Sequence, residues 1–145
     1  MNRSWRQLLA VLLAFFLAAL PAAAAAAALR PLDASSGVVE VLHMPVTAGQ
    51  QACWMQAEAK VWEPWLEQQQ GYRGRELLWD PQRLQAVVLV GWASQASWDA
   101  IPAVSIAASE QRFNQELGSC LGSAAAVPLP LQWAGSMQPL TPTQR

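Results

Sequence analysis

Residues that carry polar chemistry are scarce in this chain. It holds one histidine (His43), one tyrosine (Tyr72) and two cysteines (Cys53 and Cys120), and 13% of its residues are charged. One histidine and two widely separated cysteines do not make a zinc-type ligand set, so no metal site is expected. Lys60 is the only lysine, and the arginines are dispersed. That leaves no basic patch and excludes the electrostatic footprint of a nucleic-acid partner. Glycine-rich phosphate loops, a nucleophile elbow and a dinucleotide fingerprint are also missing. The sequence therefore implies no cofactor.

Apolar residues are plentiful instead. They make up 53% of the chain, with eight tryptophans among them. The largest run lies at the start. Arg3 and Arg6 precede an unbroken apolar stretch from Leu8 to Leu20, followed by Pro21 and the alanines Ala22 to Ala28. A basic end, an apolar middle and a small-residue exit are the parts of a secretory signal peptide, here residues 1–28. A membrane anchor is the alternative, because the uncharged stretch reaches the length of a bilayer span. Seven consecutive alanines are weakly apolar for that role, and Pro21 ends the apolar helix early. The expected destination is the periplasm, a thylakoid lumen or the extracellular space, with no membrane contact after cleavage. Without Arg3 and Arg6 the chain has seven basic and ten acidic residues, a net charge of −3. The remaining length of about 117 residues suits one domain with one core.

Residues 29–36 read as a flexible lead-in and residues 37–134 as the domain. Val38 to Met44 is rich in β-branched residues and stops at Pro45, which predicts a strand. Gln50 to Gln70 has helical spacing, with Gln56, Glu63 and Glu67 expected on the outward face. Pro64 interrupts it and predicts a kink near Lys60 or a new helix start. Gly71 suits the cap that ends a helix. Tyr72 to Trp79 and Gln85 to Ala93 form a hairpin across Asp80-Pro81. Ser94 caps a short helix holding Trp98 and Ile101. A second helix covers Ala103 to Leu117, with Ile106, Phe113 and Leu117 as its buried stripe. Val127 to Trp133 is expected as an edge strand because of its two prolines, and residues 135–145 as a disordered tail.

The resulting order is β-α-β-β-α-β. This is the ferredoxin-like α+β arrangement, an antiparallel sheet with two helices on one face. Strands that are apolar on both sides need a second cover, and another copy of the chain is the simplest one. In this arrangement the two helices run antiparallel. The start of the first and the end of the second come together, which brings Cys53 towards Cys120. A disulfide there suits an exported chain and closes a loop worth about 4 kcal/mol in the chain-entropy model. Two buried free thiols are the alternative.

Several segments carry a family likeness: Val39–Met44, Val61-Trp62-Glu63-Pro64-Trp65-Leu66, Gln70-Gly71-Tyr72-Arg73-Gly74, and Val88-Leu89-Val90-Gly91-Trp92 followed by Ser94 and Trp98. They resemble the antibiotic-biosynthesis-monooxygenase-like group of dimeric α+β barrels. Trp98-Asp99-Ala100-Ile101-Pro102 and the Trp62–Leu66 block further resemble a small cyanobacterial family without an assigned reaction. The likeness covers about Val38 to Leu117. It implies a homodimer whose sheets face each other, and no particular activity, since the wider group is chemically diverse.

The candidates for chemistry are few. His43 is a possible base by residue type, but its strand position fits a locally bonded imidazole equally well. Glu40 lies within an apolar strand and is expected either to shift its pKa upward or to pair with Arg73 or Arg75. Asn114 is the only asparagine beyond the leader. Trp62, Trp65 and Trp92 are candidate walls of a ligand pocket, and core packing explains them as well. The leading functional expectation is an exported homodimer that binds a small apolar ligand or a partner. The alternative is a cofactor-independent monooxygenase-like enzyme acting on an aromatic or lipid-like compound. N-terminal sequencing of the protein from its native host checks the export reading. A start near Leu29 is expected, and a start at Met1 overturns it.

Overall fold

The computed structural model describes residues 29–140, so the leader and the last five residues lie outside the described part. Four strands form one antiparallel sheet: β1 (Val38–Pro45), β2 (Tyr72–Asp80), β3 (Gln85–Trp92) and β4 (Trp133–Met137), in the order β2-β3-β1-β4. The helical segments are α1 (Gln51–Ala57), a π-helical segment (Glu58–Trp62), α2 (Glu63–Leu66), α3 (Gln95–Asp99) and α4 (Ala103–Cys120). The split β-α-β-β-α-β order is the ferredoxin-like α+β fold.

Strand alternation divides the sheet into two faces. Val38, Glu40, Leu42 and Met44 of β1 share one face with Ala86, Val88, Val90 and Trp92 of β3. The helices cover this face, and the core lies here with Trp54, Val61, Leu66, Phe113 and Leu117. The opposite face carries Val39, Val41, His43, Leu78, Leu89, Trp133 and Met137.

Two irregularities set which side chains face inward. The first is the π-helical segment. Pro64 has no N–H to give the Lys60 carbonyl, and just before it the Glu63 N–H bonds to the Glu58 carbonyl, five residues back. This wider turn shifts the phase of the residues that follow. Glu63, expected on the outward face, is fully buried as a result. The second is a bulge in β2. Tyr72 pairs with Trp92 and Arg75 with Val90, so β2 spends three residues where β3 spends two. The extra residue turns Arg75 to the same face as Tyr72, beneath the helices. Gly74 lies in the bulge at φ +85°, and a Cβ there would collide with the Pro31 carbonyl. Residues 30–33 run along this bulge, with Arg75 N–H donating to the Arg30 carbonyl at 2.8 Å and Asp33 N–H to the Arg73 carbonyl at 2.7 Å. The lead-in is thus tied to β2 rather than loose.

The last strand begins later than expected. Pro128 and Pro130 cannot donate ladder hydrogen bonds, and the segment holding them passes over the helices as a strap. It is anchored by Val127 N–H to the Asn114 carbonyl at 3.0 Å. β4 then forms from Trp133, reaching into residues expected as tail.

Ser94 caps α3, accepting from the Ser97 N–H at 3.2 Å. Cys53 on α1 and Cys120 at the end of α4 are joined as a disulfide, with Cα atoms 5.5 Å apart. The bond clamps the two helices that roof the sheet and closes a loop spanning 67 residues of sequence. Replacing both cysteines with serine is expected to lower unfolding stability by about 4 kcal/mol, measured by denaturant titration at constant pH. A loss below about 1 kcal/mol would show that the bond does not restrain the unfolded chain.

Candidate functional site

A cavity of about 190 Å³ lies between the covered face of the sheet and the helices. Its floor is Glu40, Leu42, Met44, Val88, Val90 and Trp92. The π-helical segment and α2 supply Glu58, Trp62, Trp65 and Leu66, and α4 supplies Glu110, Phe113 and Asn114. Trp98 and Ile101 close one side, and Leu129 and Leu131 reach in from the strap. Trp62 meets Trp65 edge-on at 5.4 Å and lies 6.4 Å from Phe113. Such edge and tilted contacts match the quadrupoles of the rings and fix the orientation of the wall.

Arg75 sits at the base of the cavity, fully buried. Its Nε donates to Glu63 Oε2 at 2.6 Å, its Nη1 to Glu58 Oε2 at 2.5 Å, and its Nη2 to the Glu58 carbonyl at 3.1 Å. Glu63 Oε1 also accepts from the Arg30 N–H at 3.1 Å and the Tyr72 hydroxyl at 3.3 Å. Two carboxyls thus meet one guanidinium, leaving one negative charge or one proton in excess. Burial lifts the Glu58 carboxyl above the usual range, against the opposing pull of Arg75. Tyr72 is held neutral by burial and by the neighbouring charge of Glu63.

Of the two alternatives expected for Glu40, pairing with Arg73 or Arg75 does not occur. The bulge commits Arg75 to Glu58 and Glu63, and Glu40 instead accepts from Trp92 Nε1 at 3.3 Å. Burial among apolar neighbours raises its pKa, and the single indole bond offsets this only in part. Asn114 lines the same cavity. The cavity thus brings Glu40, Asn114, Trp62, Trp65 and Trp92 together. His43 is not among them. It lies on the opposite sheet face, where its ring contacts Trp133 edge-on at 5.5 Å. Sequence reasoning missed Glu58, Glu63 and Arg75 as a unit. The available signals were Pro64, which marks the wide helical turn, and Gly74, which marks the bulge.

No protein-family model and no curated protein matches the chain. Solved structures do. The Streptomyces coelicolor monooxygenase from the gene ActVA-Orf6, in complex with Nanaomycin D, is 18% identical with a TM-score of 0.50. That match covers 78% of this chain and 96% of the other. A Bordetella bronchiseptica protein assigned as an antibiotic biosynthesis monooxygenase is 17% identical with a TM-score of 0.51, covering 72% of this chain and 97% of the other. The fold is that of the antibiotic-biosynthesis-monooxygenase-like proteins. At these identities the likeness concerns the fold and not the reaction.

Among the described residues, no cluster of histidine, cysteine or acidic side chains could hold a metal ion, and no helix is long and apolar enough to cross a membrane. The chemistry within reach is proton exchange by desolvated carboxyls beside aromatic walls.

The raised pKa of Glu40 has a consequence for stability. The folded state holds this proton more tightly than the unfolded chain does, whose carboxyl titrates near the ordinary 4.5. The stability contributed is complete below that value and is lost as pH rises through the folded value. Glu40→Gln keeps an acceptor for the Trp92 N–H and has no charge to bury. It is expected to be more stable than the parent at pH 8, with the difference vanishing near pH 4, in denaturant titrations at both pH values. A parent more stable than the variant at pH 8 would contradict a buried, uncompensated carboxylate.

Proposed function

We propose that the chain works outside the cytoplasm as a homodimer, each protomer binding a small, largely apolar ligand in its tryptophan-lined cavity. The cavity carries this reading. It lies between sheet and helices, and its walls combine indoles with a few convergent polar groups, as small-molecule sites do. Export is supported by the basic, apolar and alanine-rich segments of the leader and by the Cys53–Cys120 bond, which suits an oxidising compartment. Dimerisation is supported by the open sheet face. Leu78, Trp133 and Met137 are 50%, 45% and 56% exposed there, beside the half-buried Val39 and Leu89, with Glu76 as the acidic residue of the face. An apolar sheet face of this kind is self-complementary about a two-fold axis, and a second copy would bury it.

The second reading is cofactor-independent oxygenation of an aromatic or lipid-like compound. It is favoured by the shared fold with the Streptomyces monooxygenase and by Glu40, Glu58 and Asn114 in one aromatic cavity. In that reading a carboxylate takes the proton from an acidic substrate hydroxyl before dioxygen reacts, and His43 has no part.

Titration with 2-naphthol is expected to quench tryptophan emission saturably, in a species of dimer mass by light scattering. Leu78→Asp with Met137→Asp is expected to yield a monomer. A stable monomer of the unaltered chain at micromolar concentration removes the dimer, and quenching without saturation removes the ligand site. Oxygen uptake with 2-naphthol that drops about a hundredfold in Glu40→Gln and persists in His43→Ala would select the enzyme over the binding protein.

A further inference from the structure

Charge within the cavity is unbalanced in a direction that the leading reading leaves unexplained. Three carboxyl side chains line it: Glu40 from the sheet, Glu58 from the π-helical segment and Glu110 from α4. The one cationic side chain in the lining is Arg75. Its charge is already more than balanced, because Nε, Nη1 and Nη2 are engaged by Glu63 and Glu58 inside the protein. An anionic ligand would therefore find no counter-charge and would meet three acids. A neutral apolar ligand would fill the volume but strip water from carboxyls that have little else to bond. Glu40 has only the Trp92 N–H.

The remaining lining is aromatic. Trp62, Trp65, Trp92, Trp98 and Phe113 surround the space, coming from four separate segments of the chain. Ring faces attract cations through their quadrupole, and indole is the strongest of the natural rings in this respect. The attraction grows when water is excluded. Carboxyl groups set among indoles, in a recess with no free cation, form a site for positive charge on an apolar body.

Resting on the reading of this cavity as a ligand site, we infer that its ligand is a small organic cation, a protonated amine or quaternary ammonium group borne on an apolar body. The aromatic walls hold the body and face the cationic head, and Glu40, which has no cationic partner, supplies the compensating charge. The volume of about 190 Å³ lies below the usual range for drug-sized ligands and restricts the ligand to a small molecule.

Two isosteric probes separate charge from size, phenyltrimethylammonium and the neutral tert-butylbenzene, and the smaller benzoate tests the opposite charge. The quaternary cation keeps its charge at every pH. Quenching of tryptophan emission, supported by calorimetry, gives the affinity of each for the disulfide-bonded chain at pH 7.5. Phenyltrimethylammonium is expected to bind at least tenfold more tightly than tert-butylbenzene, and benzoate more weakly than either. Glu40→Gln is expected to remove most of the preference for the cation while leaving tert-butylbenzene binding within about twofold. Glu110→Gln serves as a second variant that leaves the Arg75 network intact, and it should narrow the preference in the same direction. Binding of tert-butylbenzene as tight as or tighter than that of the cation overturns the inference and leaves the ligand site standing. A cation preference unchanged in both variants also overturns it. Failure of all three probes to bind overturns the ligand site itself, and the inference with it.

Discussion

The arrangement of this domain turns on a buried guanidinium. Arg75 is fully enclosed, and a charge so placed is tolerable only if its donors are met by acceptors of matching geometry. Glu58 and Glu63 provide them, and each reaches Arg75 through a departure from regular structure. The π-helical turn brings the Glu58 carboxyl and carbonyl and the Glu63 carboxyl to one side of the helix, and the Gly74 bulge swings Arg75 inward to meet them. Arg30 adds its N–H to Glu63 and its carbonyl to the Arg75 backbone, which fastens the chain ahead of β1 to the same point. Helix, strand and lead-in share one electrostatic knot, and losing Arg75 would leave two buried carboxyls without a counter-charge.

The knot also shapes the cavity above it. Because Arg75 is spent on Glu58 and Glu63, it neutralises nothing else in the cavity, and Glu40 is left with a single indole partner. Desolvation then raises the Glu40 carboxyl, and that of Glu58 as well despite its ion pair. The tryptophans are therefore more than packing. They form the low-dielectric walls that give the carboxyls their altered acidity. On the far side of the sheet the pattern is reversed, with mostly apolar side chains, His43 and Glu76, and no helix above them. One sheet thus separates the cavity and its carboxyls from a largely apolar face without helices. The disulfide holds α1 against the end of α4, on which the roof of the interior depends.

Local patterning in the sequence was enough to read most of the architecture. β-branched runs gave β1 and β3, Ser94 gave the start of α3, and the order of elements gave the split sheet and the antiparallel helices that bring Cys53 to Cys120. It was insufficient where backbone geometry departs from the regular period. A three-to-four residue period carried across the π-helical segment puts Glu63 on the outward face, and strict alternation along β2 cannot keep Tyr72 and Arg75 on one side. Both inferences fail for the same reason: one extra residue rotates the face of the helix that follows it and reverses the facing of a strand. The partner of Glu40 was missed in consequence, and the prolines of the strap delayed β4 to Trp133.

By itself, the sequence determined the element order, the fold class, the apolar character of both sheet faces and the short list of groups able to do chemistry. These depend on composition and on contacts between near neighbours in the chain. Only the tertiary structure decided which of those groups meet. It drew Glu40, Asn114 and the tryptophans into one cavity, added Glu58 and Arg75, and set His43 on the opposite face. That outcome depends on bulge, wide turn and strand register acting over 17 to 52 positions of sequence, as the Arg75–Glu58 and Trp92–Glu40 bonds do. Local propensity carries no information over such separations, because the contacts become possible only once the sheet has paired and the helices have closed over it.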